Sequence, residues 1–189
     1  MLAFPTYNLA QVAGRVRDRR TEAHCIVPRL YLTDYPTASN AQELSRLAVT
    51  HVVSVLDYDI TLPDFIKDEN KLHIRVQDLG GVKLLDHFDK TTSFINGALE
   101  ENSKNVVLVH CLMGISRSAT VVCAYLIATK GMNAPEALEC VQSKRSIVCP
   151  NLGFRKQLET YAERFESDRK ERESRRILSK VKAFRFWAT

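Results

Sequence analysis

The chain has 189 residues, a formal net charge of +5, 45% apolar and 26% charged residues, and seven glycines. This balance fits one globular domain with short extensions and excludes disordered, collagen-like and low-complexity classes. Residues 1–20 carry four arginines and one acid and residues 166–189 eight bases and four acids, which leaves the stretch between them at −2 and argues against a nucleic-acid-binding core.

In chain order, Cys25-Ile26-Val27 and Leu30-Tyr31-Leu32, split by Pro28-Arg29, predict a short hairpin or two short strands. Asn40-Ala41-Gln42-Glu43 has the form of a capping box that opens a helix to about Leu47. Val49–Leu56 is β-branched and reads as a buried strand, and Lys71–Gln77 alternates as a strand does before Asp78-Leu79-Gly80-Gly81 breaks it. Apolar residues at 84, 85, 88, 95 and 99 suit a helix, and Val106–Val109 a central strand ending at His110. Arg117–Lys130 predicts an apolar helix stopped by Gly131. Asn133-Ala134-Pro135-Glu136 opens another helix to Val141, and Asn151 to about Phe165 forms the last. Alternating strands and helices predict an α/β domain with a central, mostly parallel sheet flanked by helices, spanning 22–166 between a basic extension (1–21) and a basic tail (167–189).

The segment that carries chemistry is His110-Cys111-Leu112-Met113-Gly114-Ile115-Ser116-Arg117-Ser118, between a buried strand and a helix. Such a turn aims successive backbone N–H groups and a helix N-terminus at one point, which makes a concave anion site. Gly114 lets the backbone come close, and the Arg117 guanidinium folds back to grip two phosphate oxygens. The same dipoles favour a Cys111 thiolate able to attack phosphorus. Cys-x5-Arg alone is a weak signal, and a strand-end cysteine is often just a small buried side chain. The glycine, the Ser-Arg-Ser triplet and the strand–helix setting together favour the catalytic reading. Leu112, Met113, Gly114, Ile115 and Ser116 are then the phosphate-binding loop, and His110 supports it through hydrogen bonds.

His110–Ala119 (HCLMGISRSA) resembles the HCxxGxSRS signature of the dual-specificity phosphatases, a branch of the cysteine-based protein tyrosine phosphatases. Ile26–Leu32 resembles that family's IxPxLYLG opening, with Thr33 where glycine is usual, and Pro150–Phe154 its PNxGF helix start. The resemblance runs from about 25 to 165 and is to the small atypical members. It implies a protein tyrosine phosphatase-like fold, a shallow pocket open to phosphotyrosine and to phosphoserine or phosphothreonine, and a phosphocysteine intermediate. It also implies that Ser118 stabilises the departing thiolate and that Asn151 braces the loop, although Asn151 can equally be a plain helix cap. No metal or cofactor is required.

A carboxylic acid must protonate the leaving oxygen and then activate water. Asp78, Asp86 and Asp89 are candidates; Asp78 ends a strand, opens a Gly-Gly loop and matches the family's acid position, so it ranks first. Phosphoproteins are the expected substrates, because no lysine lies inside the loop to meet a polyphosphorylated lipid. The alternatives are a phosphatase of lipid, RNA end or glycan, and a phosphoprotein-binding pseudophosphatase. No nucleic-acid partner and no transmembrane segment are expected, since no run of about 18 apolar residues occurs. The N-terminal residues Met1–Tyr7 do not resemble a secretory signal. The basic, apolar-studded tail can meet an acidic partner or a membrane surface, the plainer alternative being a helix docked on its own domain. Five cysteines (25, 111, 123, 140 and 149), an odd count without a CxxC pair, argue against a disulfide framework or a structural zinc site and for the cytoplasm or nucleus.

Overall fold

Strands β1 (His24–Val27) and β2 (Leu30–Thr33) form the expected hairpin around Pro28-Arg29. The structure, a computed structural model, describes residues 22–166 and Lys170, so the expected extension at 1–21 and all of the expected tail but Lys170 lie outside the described residues. A four-residue helix, α1 (Tyr35–Ala38), follows β2 and is capped by the Asp34 carboxylate, which accepts from Thr37 N–H. Helix α2 (Ala41–Arg46) starts at Asn40, whose side chain accepts from the amides of Gln42 and Glu43. The reciprocal half of the expected capping box is not made, because the Glu43 carboxylate is drawn to Arg46 one turn on.

Strand β3 is His51–Val55 and β4 is Lys71–Ile74. Strand β4 ends before the expected Gln77, because its partner β3 itself stops pairing at Val55. A 3-10 turn (Leu84–His87) leads into α3 (Phe88–Glu101), so the helix expected from residue 84 begins in a tighter winding. Gln157 accounts for this: it accepts from Leu85 N–H and donates to the Val82 carbonyl, tying 82–85 down. Strand β5 (Val107–His110) and helices α4 (Arg117–Lys130), α5 (Ala134–Lys144) and α6 (Leu152–Glu163) complete the domain. Helix α4 stops at Gly131, and α5 opens with a complete capping box between Asn133 and Glu136.

The sheet order is β1-β2-β5-β3-β4, parallel throughout except for the β1–β2 hairpin. The pleat sends Leu30, Leu32, Val53, Val55, Val107 and Val109 to one face, where they meet α3–α6 in the main core. Val52 and Leu108 point the other way, onto α1, α2, Leu62 and Ile66. Helix α4 lies at the centre of the helical layer, buried from Arg117 to Ile127, which is why its sequence is apolar almost all round. Arg29 holds a left-handed backbone (φ 67°) and donates to the carbonyls of Leu99, Asn102 and Asn105, closing the C-terminus of α3. Replacing Leu126, wholly buried in α4, by alanine is expected to cost about 2–5 kcal/mol through the cavity it leaves, read from denaturant midpoints.

Candidate active site

Parallel strands β2 and β5 end together at Thr33 and His110, level with Ser54 of β3, and the loop 111–116 turns over that edge into α4. The carbonyls of Leu112 to Ser116 each meet a donor outside the concavity. Tyr35 N–H donates to Leu112 O (3.2 Å) and Cys149 N–H to Ile115 O (2.9 Å). Arg145 donates from Nη2 to Met113 O (3.2 Å) and from Nε to Gly114 O (3.0 Å). Ser116 O accepts from the amide and hydroxyl of Thr120. In a planar trans peptide the C=O and the next N–H point in opposite directions. The amides of Met113 to Arg117 are therefore turned to the inner side of the loop. Gly114 N–H lies 3.2 Å from the Cys111 sulfur, as this requires. Gly114 has φ +65°, and a Cβ there would fall 2.5 Å from Thr33 O, so only glycine fits.

Cys111 is buried, and its Sγ accepts from Gly114 N–H and from the Ser118 hydroxyl, both at 3.2 Å. Arg117, in the first turn of α4, is also buried. Its Nη1 donates to Val76 O (3.2 Å) and to Asp57 Oδ1 (3.3 Å). Its Nε lies 3.8 Å from Asp78 Oδ2 and has no hydrogen-bond partner among the described residues. The sequence places Cys111, Arg117, Ser118 and Asp78 in one role set, and the fold brings all four together.

Asp78 follows β4, and its Oδ1 accepts from the Ser116 hydroxyl (2.6 Å) and from Asn151 Nδ2 (2.9 Å). Ser116, expected to line the phosphate loop, thus commits its side chain to the carboxylate rather than to the concavity. Asn151 does both things the sequence left open: its Oδ1 caps α6 at Phe154 N–H, and its amide group and backbone N–H reach Asp78 and Ser116. The loop after Asp78 rests directly on α6. A Cβ on Gly153 would sit 1.9 Å from Gly80 O, so this contact exists only because residue 153 is glycine. Of the rival acids, Asp86 is exposed on the 3-10 turn, and Asp89 accepts from Tyr161 and Arg164, tying α3 to α6.

His110 is fully buried, its Nε2 lies 2.7 Å from Ser54 Oγ on β3, and its ring also meets the backbone of Cys111 at the start of the loop. Its ring stacks on Tyr35 at 5.8 Å. Burial, with repulsion from His73 added, pushes its pKa down to about 4, so the ring is neutral. Leu112 and Met113 are exposed at the mouth, whereas Ile115 is half-buried. The sequence reading missed Asp57, Arg145 and the Gly80–Gly153 contact. Asp57 had a usable signal, since it follows the C-terminal end of a parallel strand, where such folds keep their sites. Arg145 had none, because nothing local marks an arginine at the end of α5 as a buried brace.

A cysteine and an arginine on an amide-lined turn from a parallel strand into a helix, at the carboxyl edge of the sheet, define the protein tyrosine phosphatase class of fold. Residues 30–164 match the family described as dual specificity phosphatase, catalytic domain, and the chain belongs to that family. It is similar to dual specificity protein phosphatase 15 of Rattus norvegicus, 38% identical over 136 residues, which cover 72% of this chain and 56% of that one. Among solved structures it resembles DUSP15 (TM-score 0.71, 31% identity, covering 80% of this chain and 97% of that one). It also resembles the human tyrosine phosphatase-like serine/threonine/tyrosine-interacting protein (TM-score 0.70, 31% identity, covering 77% of this chain and 99% of that one). The chain spans about half or less of the length of the curated relatives it matches first, 46%, 20% and 56%.

The neutral His110 makes stability pH-dependent. Its folded pKa of about 4 lies below the ordinary 6.5, so the unfolded chain binds the extra proton. Folding stability is therefore complete above pH 6.5 and falls as pH drops toward 4, by on the order of 3 kcal/mol from this group. Denaturation of wild type and His110→Gln between pH 4 and 7 is expected to show a shallower acid loss in the variant.

Proposed function

We propose that the chain is a phosphatase that hydrolyses phosphotyrosine and phosphoserine or phosphothreonine in proteins through a phosphocysteine intermediate. The observation that carries the reading is the Cys111 sulfur at the focus of inward-turned amides, with the Arg117 guanidinium and the Asp78 carboxyl group beside it. Cys111 attacks phosphorus as the thiolate, and the loop amides and Arg117 hold the equatorial oxygens through the transition state. The P–O ester bond breaks, and its oxygen takes a proton from Asp78. Oδ1 of Asp78 already accepts two hydrogen bonds, so the proton sits on Oδ2, the oxygen nearer Arg117. Water then attacks the phosphocysteine and gives a proton back to Asp78, while the Ser118 hydroxyl stabilises the departing thiolate.

The mouth supports a peptide substrate. Tyr58, Leu79 and Leu152, each next to a residue of the Asp57–Arg117–Asp78–Asn151 network, are exposed, as are Leu112 and Met113. Apolar side chains there suit the residues flanking a phosphorylated side chain, whereas a polyphosphorylated headgroup calls for cations in the loop. Five free cysteines support a reducing compartment, the cytoplasm or the nucleus.

The test is phosphate release from a phosphotyrosine and a phosphothreonine peptide across pH 5–8 with EDTA present. Cys111→Ser is expected to abolish release and Asp78→Asn to lower it about 10²–10⁴-fold. Wild-type kcat/KM should be bell-shaped in pH, rising as the thiolate forms and falling as the acid loses its proton, and Asp78→Asn should lose the alkaline limb. Wild-type protein that binds phosphopeptide and releases no phosphate would overturn the enzyme reading in favour of a binding module. Gly153→Ala, which must push the Gly80 carbonyl and with it the Asp78 loop, is expected to lower kcat roughly 10–100-fold with the fold retained.

A further inference from the structure

We infer that Arg145 is the positioning residue of the phosphate cradle: from behind the loop it sets the direction of the two peptide groups at its apex. The inference rests on the phosphate-site reading above. Arg145 is 1% exposed, yet each of its three guanidinium nitrogens has a partner. Nη2 donates to Met113 O (3.2 Å), Nε to Gly114 O (3.0 Å) and Nη1 to Glu22 O (3.0 Å), and Nη1 also lies 2.9 Å from His24 Nδ1. The Glu22 carbonyl is held in place by a second donor, the Thr33 hydroxyl (3.2 Å), at the position where the family usually has glycine. The guanidinium is thus anchored at one end to the entry of β1 and applied at the other to the loop.

The consequence follows from peptide planarity. The Met113 carbonyl shares its plane with Gly114 N–H, and the Gly114 carbonyl with Ile115 N–H. Drawing both carbonyls back onto Arg145 turns both amides toward the Cys111 sulfur, and the first of them is already 3.2 Å from it. The other outward carbonyls are held differently. Leu112 O and Ile115 O take backbone N–H groups, and Ser116 O is held within α4, whose Thr120 hydroxyl adds to a helical bond. Among the described residues, the apex peptides alone depend on a single side chain for both of their outward bonds. Free rotation of either peptide would put a carbonyl oxygen, in place of an N–H, toward an anion, which reverses the sign of that contact. Lysine cannot replace Arg145, because one ammonium lacks the fixed fork that reaches two adjacent carbonyls and Glu22 together. Arg145 does not touch the phosphate; it acts through the loop.

The test uses the full chain with Arg145→Lys and Arg145→Gln, and orthovanadate as the probe of the cradle. Active sites are counted by thiol titration, so each rate is per competent cysteine. Both variants are expected to remain folded, with kcat/KM down about 100-fold and vanadate affinity down in parallel, in line with the loss of an oriented amide at a developing anion. The loss should fall mainly on kcat, since the cradle is tightest on the transition state. Folded variants with unchanged vanadate affinity and kcat/KM per active site would overturn the inference, as would a change confined to melting temperature. Failure of both variants to fold would assign Arg145 to the scaffold alone and overturn it as well. If wild-type protein binds vanadate but releases no phosphate from peptides, the phosphatase reading fails, and the role of Arg145 is still decided by the vanadate affinities.

Discussion

The site depends on one constraint, that the peptides from Leu112 to Ser116 all present their carbonyls outward at once. Aligned amides repel one another, and a chain left to itself would alternate them or expose them to water. The fold removes that freedom by giving each carbonyl a fixed donor: α1 through Tyr35, α5 through Arg145, the segment before α6 through Cys149, and α4 through Thr120. Each of these elements is placed by the core, with α4 packed against β5 and α5 and α6 packed against α4. The concave loop proposed to bind phosphate is therefore a property of the elements packed around it rather than of the signature residues alone. Gly114 answers the same constraint from the inside, since any Cβ would meet the Thr33 carbonyl.

Much of this was legible in the sequence where one element carries the signal. The hairpin about Pro28-Arg29, the buried strand before His110 and helix α4 from Arg117 to Lys130 were readable because composition, period and punctuation agree. The four residues of α1 span a single turn, too short for a period to show, and the strand read through Gln77 stops at Ile74 because pairing depends on the length of a neighbour. In the site, Cys111, Arg117 and Ser118 sit on one continuous segment, and their proximity was written in their spacing. Asp57 and Arg145 come to the loop from 54 residues before Cys111 and 34 after it, through strand order and helix packing that no local pattern encodes. His110 shows a third kind of difference: its type and place were readable, but its partner Ser54 comes from the neighbouring strand, and strand order decides that.

Charge balance explains why Asp78 rather than a freer carboxylate suits the proposed acid role. Arg117 is buried, and without phosphate its positive charge is met by Asp57 at 3.3 Å and by Asp78 at 3.8 Å. A phosphate ester brings about two negative charges into the same small volume as the Cys111 thiolate. Arg117 and the loop dipoles cannot offset the thiolate, the ester and two carboxylates together in a partly dry site. The proposed mechanism therefore calls for one of the two carboxyl groups to enter the reaction as the neutral acid. Asp57 keeps its ion pair with Arg117 Nη1, whereas Asp78 has a second oxygen without a hydrogen bond from Ser116 or Asn151. In the proposed mechanism Asp78 is therefore the carboxyl group free to carry the transferred proton. In the proposed reaction the proton leaves with the alcohol and the carboxylate that remains receives one from water, so that a single residue would serve both halves.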